Sequence, residues 1–373
     1  MRLLFVSPYI YPDGGGVGRI VLNLAKEFSR KGHNVTVVVS GNENTTTMQD
    51  GFELITTKPD FLISNTPIKF NLFFTLDRLL KKDFDLVQAF TPVPFYADIA
   101  ALAARKNKIP FFLSYNTFTF RRIDKRKNLL SSIYENSLKG ITLNLARKIV
   151  VYNKGLENSG FLSGFRKKLF FFSPGLDRKM FRKTNSCERH LLFVGALSKS
   201  QQWKGFNYLL EAMKLVKDEF PETKLLVAGE GNLFNHYKNY SQSLGLNGTV
   251  EFKGFLGEKE LAKAYNESFF LVLPSYADAE LMPFVIPEAF ACGKPVVATK
   301  SGGIPYIVDD KKNGLLVEEK NSEKLAATIK KLLKNNLLRS EMGKNALKSA
   351  ENFSWANAAN EINEMYENEL KGK

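Results

Sequence analysis

Short apolar runs alternate along the chain with stretches in which apolar residues recur at helical spacing. RLLFVSP, at the start, is a compact apolar run closed by turn residues. In GRIVLNLAKEFSRKG, which follows, Ile20, Leu24 and Phe28 fall on one helical stripe and Gly32 lies past the end. HNVTVVVS predicts the next strand, and FDLVQAF, ADIAALAARKN, IPFFLSY and RKIVVYN continue the alternation. Strand, helix, strand repeated in this way predicts a parallel sheet with helices on both faces.

The pattern then restarts. RHLLFVGAL reads as a strand, GFNYLLEAMKLVKDEF as a helix and TKLLVAG as a strand. TVEFKGFL, EKELAKAYNES, FFLVLPS, PEAFACG, PVVAT, GLLV and SEKLAATIKKLLKN carry it onward. Between the halves lies SPGLDRKMFRKTNSCER, polar and without periodicity, which places a domain boundary near residues 182–189. The expected class is α/β, with two doubly wound, Rossmann-like domains over 1–182 and 183–354. A last helix over about 355–370 carries Trp355, Ala359, Ile362 and Tyr366 on one stripe, which requires a partner surface. In such units ligands bind beyond the carboxyl ends of the strands, so two of them facing each other would enclose a cleft.

Composition narrows the class. The chain has 373 residues, of which 44% are hydrophobic, enough for real cores and against disorder. Cys187 and Cys292 are its two cysteines, so neither a disulfide framework nor a metal-spacing cluster is expected, and a reducing, cytoplasmic setting is. MRLLFVSPYIYP has too short an apolar core for a signal peptide, and no run approaches the roughly 18 apolar residues that span a bilayer. The net charge is +15, and residues 1–180 hold 27 Lys+Arg against 14 Asp+Glu, a difference of +13. An anionic partner is therefore expected on the first half.

Three stretches carry candidate chemistry. PDGGGVGRI opens the first helix, and its glycines, Gly15 and Gly16 among them, allow close backbone approach and point amides at an anion, although the loop reads equally as a flexible turn. A nicotinamide fingerprint fails there, because position 19 is Arg and the second strand ends in Ser40 with no acidic residue. GALSKSQQWKGF places Lys204 beside Gly205 at a helix start, where an ammonium and a helix N-terminus together suit a phosphate, although on its own it reads almost as well as an exposed lysine. In AELMPFVIPEAFACGKPVVAT, Pro287 is tolerated in a helix's first turn, so a helix is predicted from about 284–287 to Cys292, capped by Gly293. Glu288 then lies in the first turn and Glu280 in the preceding loop, both at the carboxyl edge of the sheet. An ionised carboxylate can accept two hydroxyls, from a ribose diol or a sugar, although Glu288 also reads as a complement to the helix dipole.

ELMPFVIPEAFACGKPVVAT resembles the E-x7-E signature of family-4 retaining glycosyltransferases (glycosyl transferases group 1), which have the GT-B fold. The Gly-rich loop, SPGLDRKMF, KGFNYLLEAM, VEFKGFL, the E-x7-E stretch, SGGIPYIV and NGLLV stand in family order, so the resemblance covers nearly the whole chain. It implies transfer of a sugar from a UDP- or GDP-linked donor to a hydroxyl acceptor, with retention and without a metal or other cofactor. The acceptor implied is a sugar, a lipid-linked sugar or a cell-envelope glycan. It assigns the donor to the second domain and the acceptor to the first, with the last helix packing back on the first. By resemblance Glu288 holds the ribose hydroxyls, Glu280 the donor sugar and Lys204 the diphosphate. Gly254 and Phe255 lie at the nucleobase, and Met282 and Phe284 offer amides to the donor, while Pro283 cannot.

Three positions depart from the family pattern. Ala196 replaces an arginine usual beside the diphosphate, Gln88-Ala89-Phe90 replaces His-x-His, and Asn116 stands where a histidine commonly meets the reacting sugar. Asn116 can still hydrogen-bond a sugar hydroxyl but does not titrate. Two rival readings follow: a nucleotide-sugar epimerase of the same fold, disfavoured by having three histidines in all, and a non-catalytic sugar-nucleotide binder. No nucleic-acid partner is expected. Arg121, Arg122, Lys125, Arg126 and Lys127 beside Phe118 and Phe120, and Arg166, Lys167 and Lys168 before Phe170, suit docking on an anionic membrane, its inner face for a cytoplasmic protein. A soluble anionic acceptor explains the same charge, and LFFFSP reads equally as a buried strand.

Overall fold

The computed structural model describes residues 1–63, 66–91, 95–115, 138–158, 162–277 and 280–371. The chain divides into two compact units, Met1–Pro174 with Trp355–Lys373, and Gly175–Ser354. The division falls ahead of the boundary expected near 182–189. SPGLDRKMF lacks periodicity, yet it buries Leu176 and Phe181 in the core of the second unit. Leu176 also bridges to Ser354, so the two ends of that unit meet.

The first unit contains β1 (Arg2–Val6), α1 (Gly15–Arg30), β2 (Asn34–Ser40), β3 (Thr45–Gln49), β4 (Phe52–Thr57), β5 (Phe61–Ile63) and β6 (Thr66–Ile68). It continues through α2 (Leu72–Leu80), β7 (Leu86–Phe90), α3 (Tyr96–Lys106), β8 (Phe111–Ser114), α4 (Leu138–Leu145), β9 (Ile149–Val151) and β10 (Leu169–Phe171). Eight strands form one sheet in the order β10-β9-β8-β7-β1-β2-β4-β3. β1 sits centrally and parallel to both neighbours, with Phe5 opposite Val37 on one side and Gln88 on the other. Its Leu3, Leu4, Phe5 and Val6 are fully buried, as a continuous apolar run in a doubly covered parallel sheet must be. β3 is the antiparallel edge, and its threonines carry no apolar alternation, so the pattern did not predict it.

The second unit contains β11 (His190–Val194), α5 (Phe206–Lys217), β12 (Lys224–Ala228), α6 (Phe234–Ser243), β13 (Val250–Gly254), α7 (Glu258–Asn266) and β14 (Ser268–Leu273). α8 (Val285–Ala291), β15 (Val296–Thr299), β16 (Gly314–Val317), α9 (Ser322–Lys334) and α10 (Asn336–Ala350) complete it. The strand order is β13-β12-β11-β14-β15-β16, all parallel. The order reverses between β11 and β14, and at such a switch point successive crossovers leave on opposite faces and open a crevice. Two cores cover the sheet, one built on Phe193, Phe206 and Met213, the other on Leu271, Phe290 and Tyr265.

The last helix, α11 (Trp355–Lys371), returns to the first unit. It buries Trp355, Ala358, Ala359, Ile362, Met365 and Tyr366, which includes every residue of the apolar stripe. The Tyr366 ring lies 5.7 Å from Phe28 of α1 and 4.9 Å from Phe112 of β8, and its hydroxyl donates to Gln88 Oε1. Gln88 in turn donates to Ser114 Oγ at 2.7 Å. The departure at Gln88 is thus a buried structural contact. Among the described residues no helix is long and apolar enough to cross a membrane.

Candidate functional site

The switch point of the second unit gathers the polar residues that the apolar strands cannot carry. The chain leaves β11, makes a 3-10 turn over Lys199–Lys204 and enters α5 through Gly205. Gly205 has φ +69°, and a Cβ there would stand 2.1 Å from the Pro274 carbonyl oxygen. Glycine therefore brings the start of α5 against the end of β14 and delivers Lys204 to the switch point. The Lys204 ammonium also lies 4.6 Å from the centre of the Trp203 ring.

Glu280 stands in the loop between β14 and α8 and is 5% exposed. Its Oε1 accepts from Lys204 Nζ at 2.8 Å and from Ser275 Oγ at 3.1 Å. The backbone is fixed as firmly. Gly303 N–H donates to the Glu280 carbonyl at 2.6 Å, and Thr299 Oγ1 donates to the Ser275 carbonyl. Gly302 adopts φ +50°, where a Cβ would lie 2.3 Å from the same Glu280 oxygen. The segment after β15 thus holds the backbone of Glu280, while Lys204 and Ser275 hold its carboxylate. A buried carboxylate is tolerated on these terms, with a cation and hydrogen bonds replacing water.

α8 begins at Val285, and Pro287 lies within its first turn, where an N–H would have no intrahelical partner. Gly293, at φ +72°, follows its end. Glu288 is 3% exposed, and its Oε2 accepts from the hydroxyl of Tyr265, on α7, at 2.9 Å. One turn later the Cys292 thiol is pushed up to about 12, first by burial and then by the charge of Glu288. Both glutamates therefore already engage protein donors, where the sequence suggested acceptors facing a ligand.

The remaining expected positions are spread over the fold. Gly254 ends β13, its carbonyl accepts from Gly229 N–H at 2.7 Å, and Phe255 beyond it is 74% exposed. Met282 and Phe284 are half-buried on the approach to α8, with Met282 packed on the core. Gly15 and Gly16 open α1 in the first unit, next to Gly14 in the left-handed region. There a cavity of about 590 Å3 opens past β1, β2 and β4, lined by Tyr9, Asp13, Gly14, Ser40 and Lys58 among others. Asn116, Arg121, Arg122, Lys125, Arg126 and Lys127 lie outside the described residues. Lys168 is half-buried: its ammonium donates to the Leu143 and Asn144 carbonyls at the end of α4, and burial lowers its pKa. Phe170 and Phe171 are half-buried in the edge strand β10. Among the described residues no group of three or more His, Cys, Asp or Glu is arranged to hold a metal ion.

Ser275, Tyr265 and Thr299 were not singled out from the sequence, and Gly302 and Gly303 entered only within the motif SGGIPYIV. Tyr265 sits on the apolar stripe of EKELAKAYNES, where a phenol cannot be told from a core aromatic. The SGG run after the strand PVVAT was the one available signal, since consecutive glycines beside a strand end mark a close backbone approach.

Known proteins share the fold. The family described as "Glycosyl transferases group 1" matches residues 178–349, and that described as "Glycosyltransferase Family 4" matches residues 14–177. A D-inositol 3-phosphate glycosyltransferase of Corynebacterium jeikeium is 32% identical over 205 residues, 52% of this chain and 48% of the relative. The chain spans about half the length of that relative and of its counterparts in other Corynebacterium species. A sucrose-phosphate synthase of Thermosynechococcus elongatus superposes with a TM-score of 0.77 at 18% identity, covering 100% of both chains. Anabaena Alr3699/HepE, solved with UDP, gives 0.76 at 19% identity, covering 99% of this chain and 100% of that one. Two Rossmann-like units, with both family matches in order along them, place the chain in the family 4, group 1 glycosyltransferases of GT-B fold.

Proposed function

We propose that this protein is a retaining, metal-independent glycosyltransferase that takes its sugar from a nucleotide-diphosphate donor held by the second unit. The observation that carries the reading is the Lys204–Glu280–Ser275 cluster at the β11/β14 switch point, inside the stretch matched by the group 1 family. Solved relatives of the same fold hold UDP and UDP-glucose, which supports a nucleotide-sugar donor. Lys204 meets the charge that builds on the departing diphosphate, and backbone amides share it. Glu280 directs the donor sugar, and Glu288 the ribose. The acceptor hydroxyl gives its proton to the leaving phosphate, so no histidine base is required.

The first unit takes the acceptor, a lipid-linked sugar or an envelope glycan presented at an anionic membrane face. Its net charge supports an anionic surface there, and the relatives named for a phosphorylated inositol support an anionic acceptor without favouring a lipid-linked one. The test is a mass-spectrometric screen of the protein against UDP- and GDP-sugars with a lipid-linked acceptor extract, with and without EDTA. The expected outcome is one donor consumed and one glycosylated product with retained anomeric configuration, unaffected by EDTA. Donor binding without transfer to any acceptor, or an inverted product, would refute the proposal.

A further inference from the structure

We infer that Tyr265 is a positioning residue that orients the Glu288 carboxylate toward the nucleotide ribose, an inference that rests on the ribose role proposed for Glu288. The bond joins two buried side chains from different helices, Tyr265 Oη on α7 and Glu288 Oε2 on α8, at 2.9 Å. A glutamate carboxylate turns readily about its Cγ–Cδ bond unless a donor fixes its plane, and a phenol with its ring locked is a donor of fixed direction. The Tyr265 ring is locked. It is fully buried, and Phe181 meets it edge-on with ring centres 5.9 Å apart. The end of α7 is pinned as well, since Asn266 Nδ2 donates to the Arg182 carbonyl at 3.0 Å and its Oδ1 accepts from Thr184 N–H at 2.7 Å.

The location of the pair says more than its strength. α7 starts at Glu258, directly after β13 and the Gly254–Phe255 segment expected at the nucleobase. α8 carries Glu288, expected at the ribose. Tyr265 thus ties the segment that follows the base to the carboxylate that follows the sugar ring, so the two are held in one register before any nucleotide arrives. Preorganisation of this kind lowers the cost of ordering a polar group at the moment of binding. For core packing alone, phenylalanine and an apolar partner would fill the same space without burying a charge.

The test compares UDP and GDP with their 2′,3′-dideoxy forms by calorimetry on the full chain, for the wild type, Tyr265→Phe, Glu288→Gln and the double variant. The wild type is expected to prefer one ribonucleotide over its dideoxy form. Tyr265→Phe should lose about five- to tenfold in affinity for the ribonucleotide. Its affinity for the dideoxy form should hold within about twofold, a split that mere loss of packing does not produce. In the Glu288→Gln background the same tyrosine change should have little further effect, and this arm also serves if the single variant folds poorly. Equal losses for both nucleotides, or full discrimination retained by Tyr265→Phe, would overturn the role of Tyr265 alone. A wild type that binds neither nucleotide, or does not discriminate ribose from dideoxyribose, would overturn the ribose assignment of Glu288 and the inference with it.

Discussion

At the scale of single residues, the candidate site is a set of charges that the fold shields from water and then pairs. Lys204 and Glu280 have side-chain exposures of 13% and 6%. Removing one partner of such a pair strands the other, at a cost of about 3–5 kcal/mol where burial is complete and less here. Lys204→Ala should therefore destabilise the second unit measurably. It should also lower kcat more than it raises KM, because the diphosphate gains charge in the transition state. Steady-state kinetics with the donor found in the screen would check this; an unchanged kcat with a raised KM would make Lys204 a ground-state anchor. Glu280 and Glu288 were legible as candidates because charges and prolines are out of place in an apolar run, and Lys204 because it stands beside a glycine at a helix start. Their protein partners were not, because Tyr265 and Ser275 reach them across 23 and 5 positions, and sequence periodicity reports only the face on which a residue lies.

At the scale of elements, the strands and helices of both units follow from runs of buried apolar residues, and the pattern found most of them. It missed β4, α2, α4 and α10, and also α6, FNHYKNYSQS, which is polar around most of its circumference and buries Tyr237 and Ser241. It also missed β3 and the β5–β6 hairpin, short elements whose pairing is set by a neighbour and not by their own alternation. α11 was legible as a stripe in want of a surface, and the surface it finds includes the buried contact of Tyr366 with Gln88. Tyr366→Phe would leave Gln88 Oε1 without that donor in the core. The expected loss is about 1–3 kcal/mol, read as a lower urea midpoint at unchanged slope. A midpoint equal to the wild type would show that the contact contributes nothing net.

At the scale of the whole molecule, pH acts through His190, which is buried, and His33, which is half-buried. Burial is the leading cause that lowers the pKa of His33 and of His190 from the ordinary 6.5, and His190 Nε2 lies 3.2 Å from the Ala264 carbonyl. The unfolded chain takes up protons near that value, while the folded chain resists them. Stability is thus fully present above about pH 6.5 and is lost as pH falls below it. Tm should decline between pH 7 and pH 5, and His190→Gln should flatten that decline; an equal slope in the variant would remove His190 as a cause. The two-unit plan was legible in the restart of the strand–helix pattern, whereas the place of division was not, because two buried side chains in an aperiodic segment outweigh its polarity. That division has a consequence for biosynthesis. The second unit is continuous, from Gly175 to Ser354, but the first is interrupted and regains α11 only after Ser354. A chain emerging from the ribosome N-terminus first therefore presents a first unit whose Phe28, Gln88 and Phe112 wait uncovered while the second unit is made. The domain encoded first is the one completed last, and it has the longer exposure to chaperones and to aggregation.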